Sequence, residues 1–264
     1  MTVSDVTGAT LYLTPYVGNR IALFDGTAWN IRIFTERSLA LTVTSGKNYD
    51  IFAYDNAGVP ALELSAAWTN DTTRADALTR QDGILSKSSG LTRRYLGTLR
   101  ASAANQTADT ATSRFLANYY NRVQKSLMAN PGYSNNALDT TYWMVGGWAK
   151  ANGGVGSGVS FLSMGEEATF IQAQAVYNTD GVSVVHAGPG IDSTVPGKMG
   201  CGYVGQIQTI TVNDSQVLSA GYHTVDLYIY AGGNSSQIYA DRGSTVTSPT
   251  PDPRASFVLV VARV

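Results

Sequence analysis

The chain has 264 residues, a formal net charge of −1, and charged side chains at only 14% of its positions. Without a concentrated Lys/Arg surface to hold phosphates, this composition excludes nucleic-acid binding as the main task. The single cysteine, Cys201, excludes an internal disulfide, so packing or oligomerisation must stabilise the fold.

The first region of the chain, residues 1–128, alternates apolar and polar side chains with the period of two that indicates β-strands. Asp25-Gly26 separates two such runs, and both residue types tolerate positive φ, so this dipeptide predicts a β-hairpin. Leu41 and Tyr49, on either side of a turn, resemble the tyrosine corner of immunoglobulin-like sandwiches. We therefore predict an antiparallel N-terminal β domain at residues 1–128.

The one candidate helix follows, because apolar side chains recur every four residues from Ala111 to Leu127. Tyr119 and Val123 favour strands, so a short helix followed by a strand fits equally well. The turn-rich segment 128–139 then indicates a domain boundary. The first domain is thus expected to end in a short helical or mixed segment.

The second region, residues 129–264, contains six or more strand candidates separated by Gly-, Pro-, Asn- and Asp-rich turns. This spacing is typical of a β-sandwich, so we predict a C-terminal jelly-roll-like sandwich. The last candidate, 256–264, is apolar on both faces and should be a central strand or lie against a partner subunit. The predicted fold class is all-β: two antiparallel β domains with at most one short helix between them.

A glycine-rich stretch, GCGYVG at 200–205, matches the G-x-G-x-x-G spacing of dinucleotide-binding loops. That motif functions only where a strand precedes the glycines and a helix N-terminus follows them to face the pyrophosphate. Here Pro196 and Gly197 indicate a preceding loop, and QIQTITVN at 206–213 alternates as a strand does. We therefore predict a glycine-rich loop that leads into a strand, and no nucleotide cofactor.

No other motif indicates catalysis, so we expect no enzyme, no cofactor and no metal site. His186 and His223 lie outside any metal-binding spacing, and the chain has no G-x-S-x-G nucleophile elbow. Glu166 and Glu167 are adjacent, and adjacent residues of a strand point to opposite faces. Their carboxylates are therefore not expected to act as a pair.

An aromatic cluster is the one candidate ligand surface in the sequence. Tyr142, Trp143 and Trp148 lie close together beside glycines. Flat aromatic side chains bind the faces of sugars, but more often they build cores and subunit interfaces. Both interpretations apply to these three residues.

Long stretches of the chain resemble a family of tailed-phage virion structural proteins, which includes tail-fibre and related components. The resemblance lies in LYLTPYVGNRIALFDGTAWNIRIFTERSLALT (11–42), in 48–102 and in SRFLANYYNRV (113–123). Later segments, such as AGYHTVDLYIYA (220–231), resemble the β-rich C-terminal part of such proteins. The resemblance carries no catalytic residues.

This resemblance implies a non-enzymatic virion protein, made in the host cytoplasm, that acts as a fibre or fibre-like component. The N-terminal domain would dock on other virion proteins. The C-terminal sandwich would form a homo-oligomer, with a trimer favoured, and present the glycine-rich loops 152–158 and 188–205. No apolar run reaches the roughly 20 residues of a membrane span, and no secretory signal is recognisable, so no membrane insertion is expected.

Two other functions fit the same residues. One is a capsid decoration or cement protein that reinforces the head. The other is a carbohydrate- or receptor-binding module that recognises a host surface glycan through Tyr142, Trp143 and Trp148.

Overall fold

The structure is a computed structural model, and it describes residues 1–3, 8–130, 145–151, 158–178, 184–202, 208–231, 237–239 and 256–263. The elements formed across these ranges are β-strands, and the sheets are antiparallel apart from one short parallel pair. The predicted all-β class is therefore confirmed. None of the described residues forms a helix long and apolar enough to cross a membrane.

The N-terminal half is built from short strands and two long ones. These are β1 (Thr2–Val3), β2 (Thr10–Leu13), β3 (Arg20–Phe24), β4 (Trp29–Ile33), β5 (Arg37–Ala40), β6 (Asn48–Asn56), β7 (Val59–Leu64), β8 (Leu78–Gln81), β9 (Ile84–Lys87), β10 (Gly90–Ala103), β11 (Gln106–Thr107), β12 (Ser113–Arg114) and β13 (Leu116–Asn118). One sheet has the order β1-β2-β5, and β3 pairs with β4 as a separate hairpin. The largest sheet has the order β7-β6-β10-β9-β8, with β11 and β13 also paired to β10.

Two local predictions in this half are confirmed. The carboxylate of Asp25 accepts hydrogen bonds from the backbone N–H groups of Thr27 and Ala28, and Gly26 has a φ of 106°. The β3–β4 hairpin therefore turns at the predicted dipeptide. Farther along, the hydroxyl of Tyr49 accepts a hydrogen bond from the backbone N–H of Thr44 at 2.9 Å, as a tyrosine corner does.

The C-terminal half is a sandwich. Its strands are β14 (Gln124–Ala129), β15 (Val145–Lys150), β16 (Gly158–Met164), β17 (Ala168–Asn178), β18 (Val185–Ile191), β19 (Gly200–Gly202), β20 (Gln208–Val217), β21 (Ala220–Ala231), β22 (Gln237–Tyr239) and β23 (Phe257–Arg263). One sheet has the order β14-β23-β17-β20 and the other β16-β21-β18-β19, with β12 beside β16. The short strands β15 and β22 pair with β21 and β17.

This strand order is that of a jelly roll. If its eight main strands are numbered along the chain, the two sheets have the orders 1-8-3-6 and 2-7-4-5. Val225 and Leu227 of one sheet pack against Ile171 and Val260 of the other, and all four are fully buried. The strand β23 is paired on both sides, so the prediction of a central strand from its two apolar faces is confirmed.

The candidate helix between the two halves does not form, which agrees with the prediction of at most one short helix. The segment forms β12, β13 and β14 instead, and β14 pairs with β23 along its whole length. Leu127 and Ala129 alternate into the jelly-roll core, where both side chains are buried. The β-favouring side chains Phe115 and Tyr119 pack in ring contacts beside these strands.

Candidate functional site

Three aromatic rings from three strands meet on the outer face of the β16-β21-β18-β19 sheet. The ring centroids of Trp148 and Tyr230 are 6.0 Å apart, those of Tyr230 and His186 are 5.6 Å apart, and those of Trp148 and His186 are 6.3 Å apart. We call these three residues the aromatic row. Trp148 comes from β15, Tyr230 from β21 and His186 from β18, so register between distant strands assembles the row.

The row faces away from the core because its neighbours along each strand face inward. Val185, Ala187 and Ile229 are buried between the two sheets, and alternate residues of a strand point to opposite faces. His186 and Tyr230 lie directly opposite each other in the register and are half-buried, as is Trp148. The aromatic row therefore presents partly exposed ring surface on the outside of the jelly roll.

Polar groups lie at the edge of the aromatic row. The Nδ1 atom of His186 is buried and has no hydrogen-bond partner among the described residues. One step along the same face, Lys150 Nζ donates to an Asp226 carboxylate oxygen at 2.7 Å, and this hydrogen bond raises the pKa of the lysine. The row thus combines apolar ring faces, an unused imidazole nitrogen and a neutralised ion pair.

Cys201 extends this arrangement by one strand. It lies on β19 directly opposite His186, on the same face of the sheet, and its side chain is exposed. A reagent attached to the Cys201 thiol would therefore lie next to the aromatic row.

Of the predicted site residues, the structure brings only Trp148 into this site. Tyr142 and Trp143 lie outside the described residues. Sequence reasoning did not assign His186 or Tyr230 to a ligand site, because only the strand register brings them beside Trp148. The alternation of DLYIYA, which contains Tyr230, was the one local signal that this tyrosine faces outward.

The first glycines of GCGYVG form a strand, so the predicted loop is wrong at these positions. Gly200 and Gly202 face the opposite sheet, where a Cβ on Gly200 would overlap Ile210 and one on Gly202 would overlap the Tyr177 hydroxyl. These glycines therefore permit close packing of the two sheets, and they do not cradle a phosphate. The rest of the motif, 203–205, lies outside the described residues.

The predicted loop 188–205 is also partly strand. Gly188 and Gly190 belong to β18, and a Cβ on Gly190 would overlap the Tyr228 ring. Of the other predicted loop, only residue 158 lies within the described residues, as the first residue of β16. The glycines of β18 therefore serve packing on the outer face.

Ser219, His223 and Asp192 have the composition of a catalytic triad, but their geometry indicates a structural role. Asp192 Oδ2 is 2.8 Å from His223 Nδ1, while His223 Nε2 is 2.9 Å from the Ser219 carbonyl oxygen and 3.4 Å from Ser219 Oγ. Both ring nitrogens therefore face oxygen acceptors, and Nε2 lies closer to the Ser219 carbonyl than to its hydroxyl, so the ring is not placed to take a proton from that serine.

The pKa of His223 agrees with this interpretation. Burial alone would lower it, but the hydrogen bonds to Asp192 and to the Ser219 carbonyl outweigh burial and raise the pKa above its ordinary value. The hydrogen bonds thus favour the protonated ring, and they tie β21 to the end of β18. Among the residues that the structure describes, no group of three or more His, Cys, Asp or Glu side chains is placed to hold a metal ion.

The expected separation of Glu166 and Glu167 is wrong, because both lie in the bend between β16 and β17. Arg122 donates to Glu166 at 2.6 Å and to Glu167 at 3.3 Å. The two carboxylates thus converge on one guanidinium. They fix the segment before β14 to the jelly roll.

The two halves of the chain meet at a joint formed by Asp71, Arg100 and Tyr222. The guanidinium of Arg100 lies on the Tyr222 ring and donates to the Asp71 carboxylate at 2.6 Å. The backbone N–H of Tyr222 donates to the Asp71 carbonyl oxygen at 3.0 Å. Phe115 packs edge-on against Tyr222, with ring centroids 5.8 Å apart. These contacts hold the jelly roll in a defined orientation on the N-terminal half.

Two surfaces of the described chain expose neighbouring apolar side chains. On the N-terminal half, Val17 is 95% exposed and Ile31 is 67% exposed, with Tyr16 and Ile33 similarly open. We call these four residues the apolar hairpin surface. Contiguous exposed apolar side chains of this kind mark interaction sites.

The second surface is the outer face of the β14-β23-β17-β20 sheet. Phe170 lies opposite Val261, and Leu259 lies between Met128 and Gln172, so that all five side chains share one face. Phe170 is exposed and the other four residues are half-exposed or less. We call this set the neutral face, because none of its five side chains carries a charge.

No protein-family model matches the sequence, and no curated protein matches it. Among solved structures, dimeric latent PorU from Porphyromonas gingivalis is similar with a TM-score of 0.32 and 9% identity, over 84% of this chain and 24% of that one. The insecticidal delta-endotoxin Cry8Ea1 from Bacillus thuringiensis is similar with a TM-score of 0.29 and 8% identity, over 100% of this chain and 51% of that one. The chain thus spans about a quarter and about half of these proteins, and likenesses this weak carry no argument.

Proposed function

We propose that this chain is a non-enzymatic structural protein of a tailed-phage virion, a fibre or fibre-like component that projects a jelly-roll head. The observation that carries the proposal is the eight-stranded jelly roll held on a second β module by the joint. Jelly rolls of this kind build viral capsid and lectin domains, an analogy at the level of the fold. The sequence resemblance to virion proteins supports the same assignment.

The neutral face supports a homo-oligomer, with a trimer favoured. Exposed Phe170 and its apolar neighbours Val261, Leu259 and Met128 would lose contact with water in an interface between copies. Because none of these five side chains is charged, and the neighbouring Arg263 is paired with Glu167, bringing identical copies together causes little like-charge repulsion. A chain without disulfides would gain stability from such an assembly.

The apolar hairpin surface supports docking of the N-terminal half on other virion proteins. Val17 and Ile31 lie on the other half of the chain from the neutral face, so docking and oligomerisation would use different surfaces. The head would then project away from the particle. This arrangement fits a fibre better than an enzyme, which needs a concave site with converging reactive groups.

Electron cryo-microscopy of the intact particle tests the location. Density for this chain in tail spikes or fibres is expected, whereas density spread over the capsid shell would make it a decoration protein that reinforces the head. Absence from the particle would overturn the virion assignment.

Light scattering tests the oligomer on the purified chain. We expect a stable oligomer at micromolar concentration for the wild type and a monomer for Phe170→Glu, which places a charge on the neutral face. Val195→Glu is the matched control, because Val195 is exposed in the loop after β18, which belongs to the other sheet. A monomeric wild type would contradict the proposed assembly.

A further inference from the structure

We propose that the aromatic row is a carbohydrate-binding site, in which the apolar face of a neutral sugar ring stacks on Trp148. This inference goes beyond the proposed function, because sugar binding would be a property of the chain whether or not it belongs to a virion. It assigns a ligand class to three residues on the outer face of the jelly roll: Trp148, Tyr230 and His186.

The shape of the row suits a sugar. Its three rings lie within 6.3 Å of one another and are tilted by 49° to 65°, so they form a shallow angled surface with partly exposed ring faces. A pyranose presents C–H groups on one face, which pack on an aromatic ring, and hydroxyls around its rim. Aromatic side chains pointing outward from a rigid sheet provide such a platform without reordering on binding.

The polar groups at the edge match the hydroxyl rim. His186 Nδ1 is buried, carries no hydrogen bond among the described residues, and lies at the row itself. A buried polar atom without a partner costs free energy, and a sugar hydroxyl would supply the missing hydrogen bond. Lys150, on the same face one row away, offers a further donor to a second sugar unit.

The charge of the site selects among ligands. The ammonium of Lys150 is neutralised by Asp226 at 2.7 Å, so this lysine, within the part of the chain that the structure describes, gives the site no uncompensated cation for a phosphate or sulfate. This favours neutral oligosaccharides over nucleotides and phosphorylated ligands. The alternative occupant is a second copy of the chain, and the experiment below separates the two.

Cys201 makes the test direct. It is the only cysteine of the chain, it is exposed, and it lies opposite His186 on the neighbouring strand. A sugar that occupies the row would shield the thiol from 5,5′-dithiobis(2-nitrobenzoate). The rate of thiol modification therefore reports occupancy of this one place on the wild-type chain.

The experiment begins with an array of oligosaccharides released from bacterial lipopolysaccharides and capsules. The strongest hit is then titrated while tryptophan fluorescence and the Cys201 modification rate are recorded. We expect saturable binding that slows modification severalfold. Trp148→Ala should weaken binding at least tenfold, and His186→Phe, which keeps an aromatic ring but removes Nδ1, should weaken it by roughly tenfold, the effect of one lost hydrogen bond.

The matched control is Trp29→Ala, in the N-terminal hairpin and outside the row. It should bind as the wild type does, and the circular dichroism of each variant shows whether it is folded. No binding to any glycan, or unchanged binding by a folded His186→Phe and a folded Trp148→Ala, would overturn the proposal. Thiol protection that grows with protein concentration in the absence of sugar would also overturn it, and would assign the row to an interface between copies.

Discussion

The guanidinium of Arg100 lies 3.4 Å from the centre of the Tyr222 ring, and it joins a strand of the N-terminal sheet to a strand of the jelly roll. The same side chain donates to Asp71 and to the Asn48 amide oxygen. One residue thus combines a cation–π contact with hydrogen bonds at the joint. A lysine cannot reproduce this, because an ammonium has neither the planar face nor the fork of donors.

Replacing Arg100 should therefore loosen the two halves from each other. We expect Arg100→Leu to cost about 1–3 kcal/mol of unfolding free energy and to split one calorimetric transition into two. The control is Arg80→Leu, whose side chain donates to the Gly83 carbonyl away from the joint. A single transition at the wild-type temperature in Arg100→Leu would show that the joint does not couple the halves.

The pair of His223 and Asp192 should make stability depend on pH. The folded pKa of His223 lies above its ordinary value, so its stabilisation is complete below about pH 6.5 and is lost as pH rises through the folded pKa. For Asp192, burial would raise the pKa, but the hydrogen bonds from His223 and from the Thr224 N–H outweigh it, so the pKa lies below its ordinary value. The carboxylate therefore stabilises the fold above about pH 4, and this contribution is lost as pH falls through the folded pKa.

Urea unfolding across this range provides the measurement. The wild type should lose stability as the pH rises above about 6.5, and His223→Gln should be destabilised by about 1–2 kcal/mol at pH 6 with a flatter profile. His186→Gln serves as the matched histidine control. A profile in His223→Gln as steep as that of the wild type would assign the pH dependence to another group.

A buried carboxylate in the N-terminal half gives a third prediction. Asp50 is fully buried, Arg74 Nε donates to it at 3.2 Å, and Thr98 Oγ1 donates to it at 2.8 Å. Burial nevertheless raises the pKa of Asp50. The pKa of the adjacent Tyr95 is raised to about 12, mainly by burial and secondly by the negative charge of Asp50. Arg74 also lies on the Trp68 ring, at 4.5 Å.

The two partners should respond unequally to substitution. Arg74→Met leaves a buried charge without compensation and should cost about 3–5 kcal/mol. Asp50→Asn should cost less, because it keeps a polar group for Thr98 while the partly exposed Arg74 still reaches water. Because the folded pKa of Asp50 is raised, Arg74→Met should recover stability as the pH falls through that pKa towards the ordinary carboxyl pKa of about 4. Equal losses in the two variants by denaturant unfolding would contradict this account.

The close approach at Gly202 gives a fourth prediction. A Cβ there would overlap the Tyr177 hydroxyl, so Gly202→Ala should cost about 1–3 kcal/mol through overpacking. Adding Tyr177→Phe removes the oxygen and should recover part of that loss in a double-mutant cycle. Gly197→Ala, at a glycine with open space around it, should be close to neutral in the same thermal unfolding assay. If the two substitutions lower the unfolding free energy additively, the strain does not come from the contact between residue 202 and the Tyr177 hydroxyl.

Local signals in the sequence predicted local structure well. Asp25-Gly26 and Tyr49 act through groups within a few residues, so composition and spacing were sufficient. The sequence left a helix or strands open from Ala111 to Leu127, because apolar side chains at every fourth residue fit both, and pairing of β14 with β23 favours the strands. That pairing depends on residues more than a hundred positions away, which no local pattern encodes.

The candidate site was predicted only in part for the same reason. The sequence marks Trp148 as a candidate because it is an aromatic residue beside glycines. His186 and Tyr230 lie next to Trp148 only because of the register of β15, β18 and β21. Glu166 and Glu167 were separated on the assumption of a strand, whereas Gly165, with a φ of 78°, turns the chain before them. Strand register and tight turns thus account for the residues that sequence reasoning placed wrongly or did not find.

The pairing of β14 with β23 also affects how the protein is made. Gln124 lies opposite Arg263, so one sheet of the jelly roll remains incomplete until both segments have left the ribosome. Until then the apolar residues of β17 lack their neighbour and expose an unpaired strand edge, which is a template for aggregation. Contacts of such long sequence separation also fold slowly. We therefore expect the N-terminal sheets to fold during synthesis. We expect folding of the jelly roll to be the step at which chaperones determine the yield of native protein.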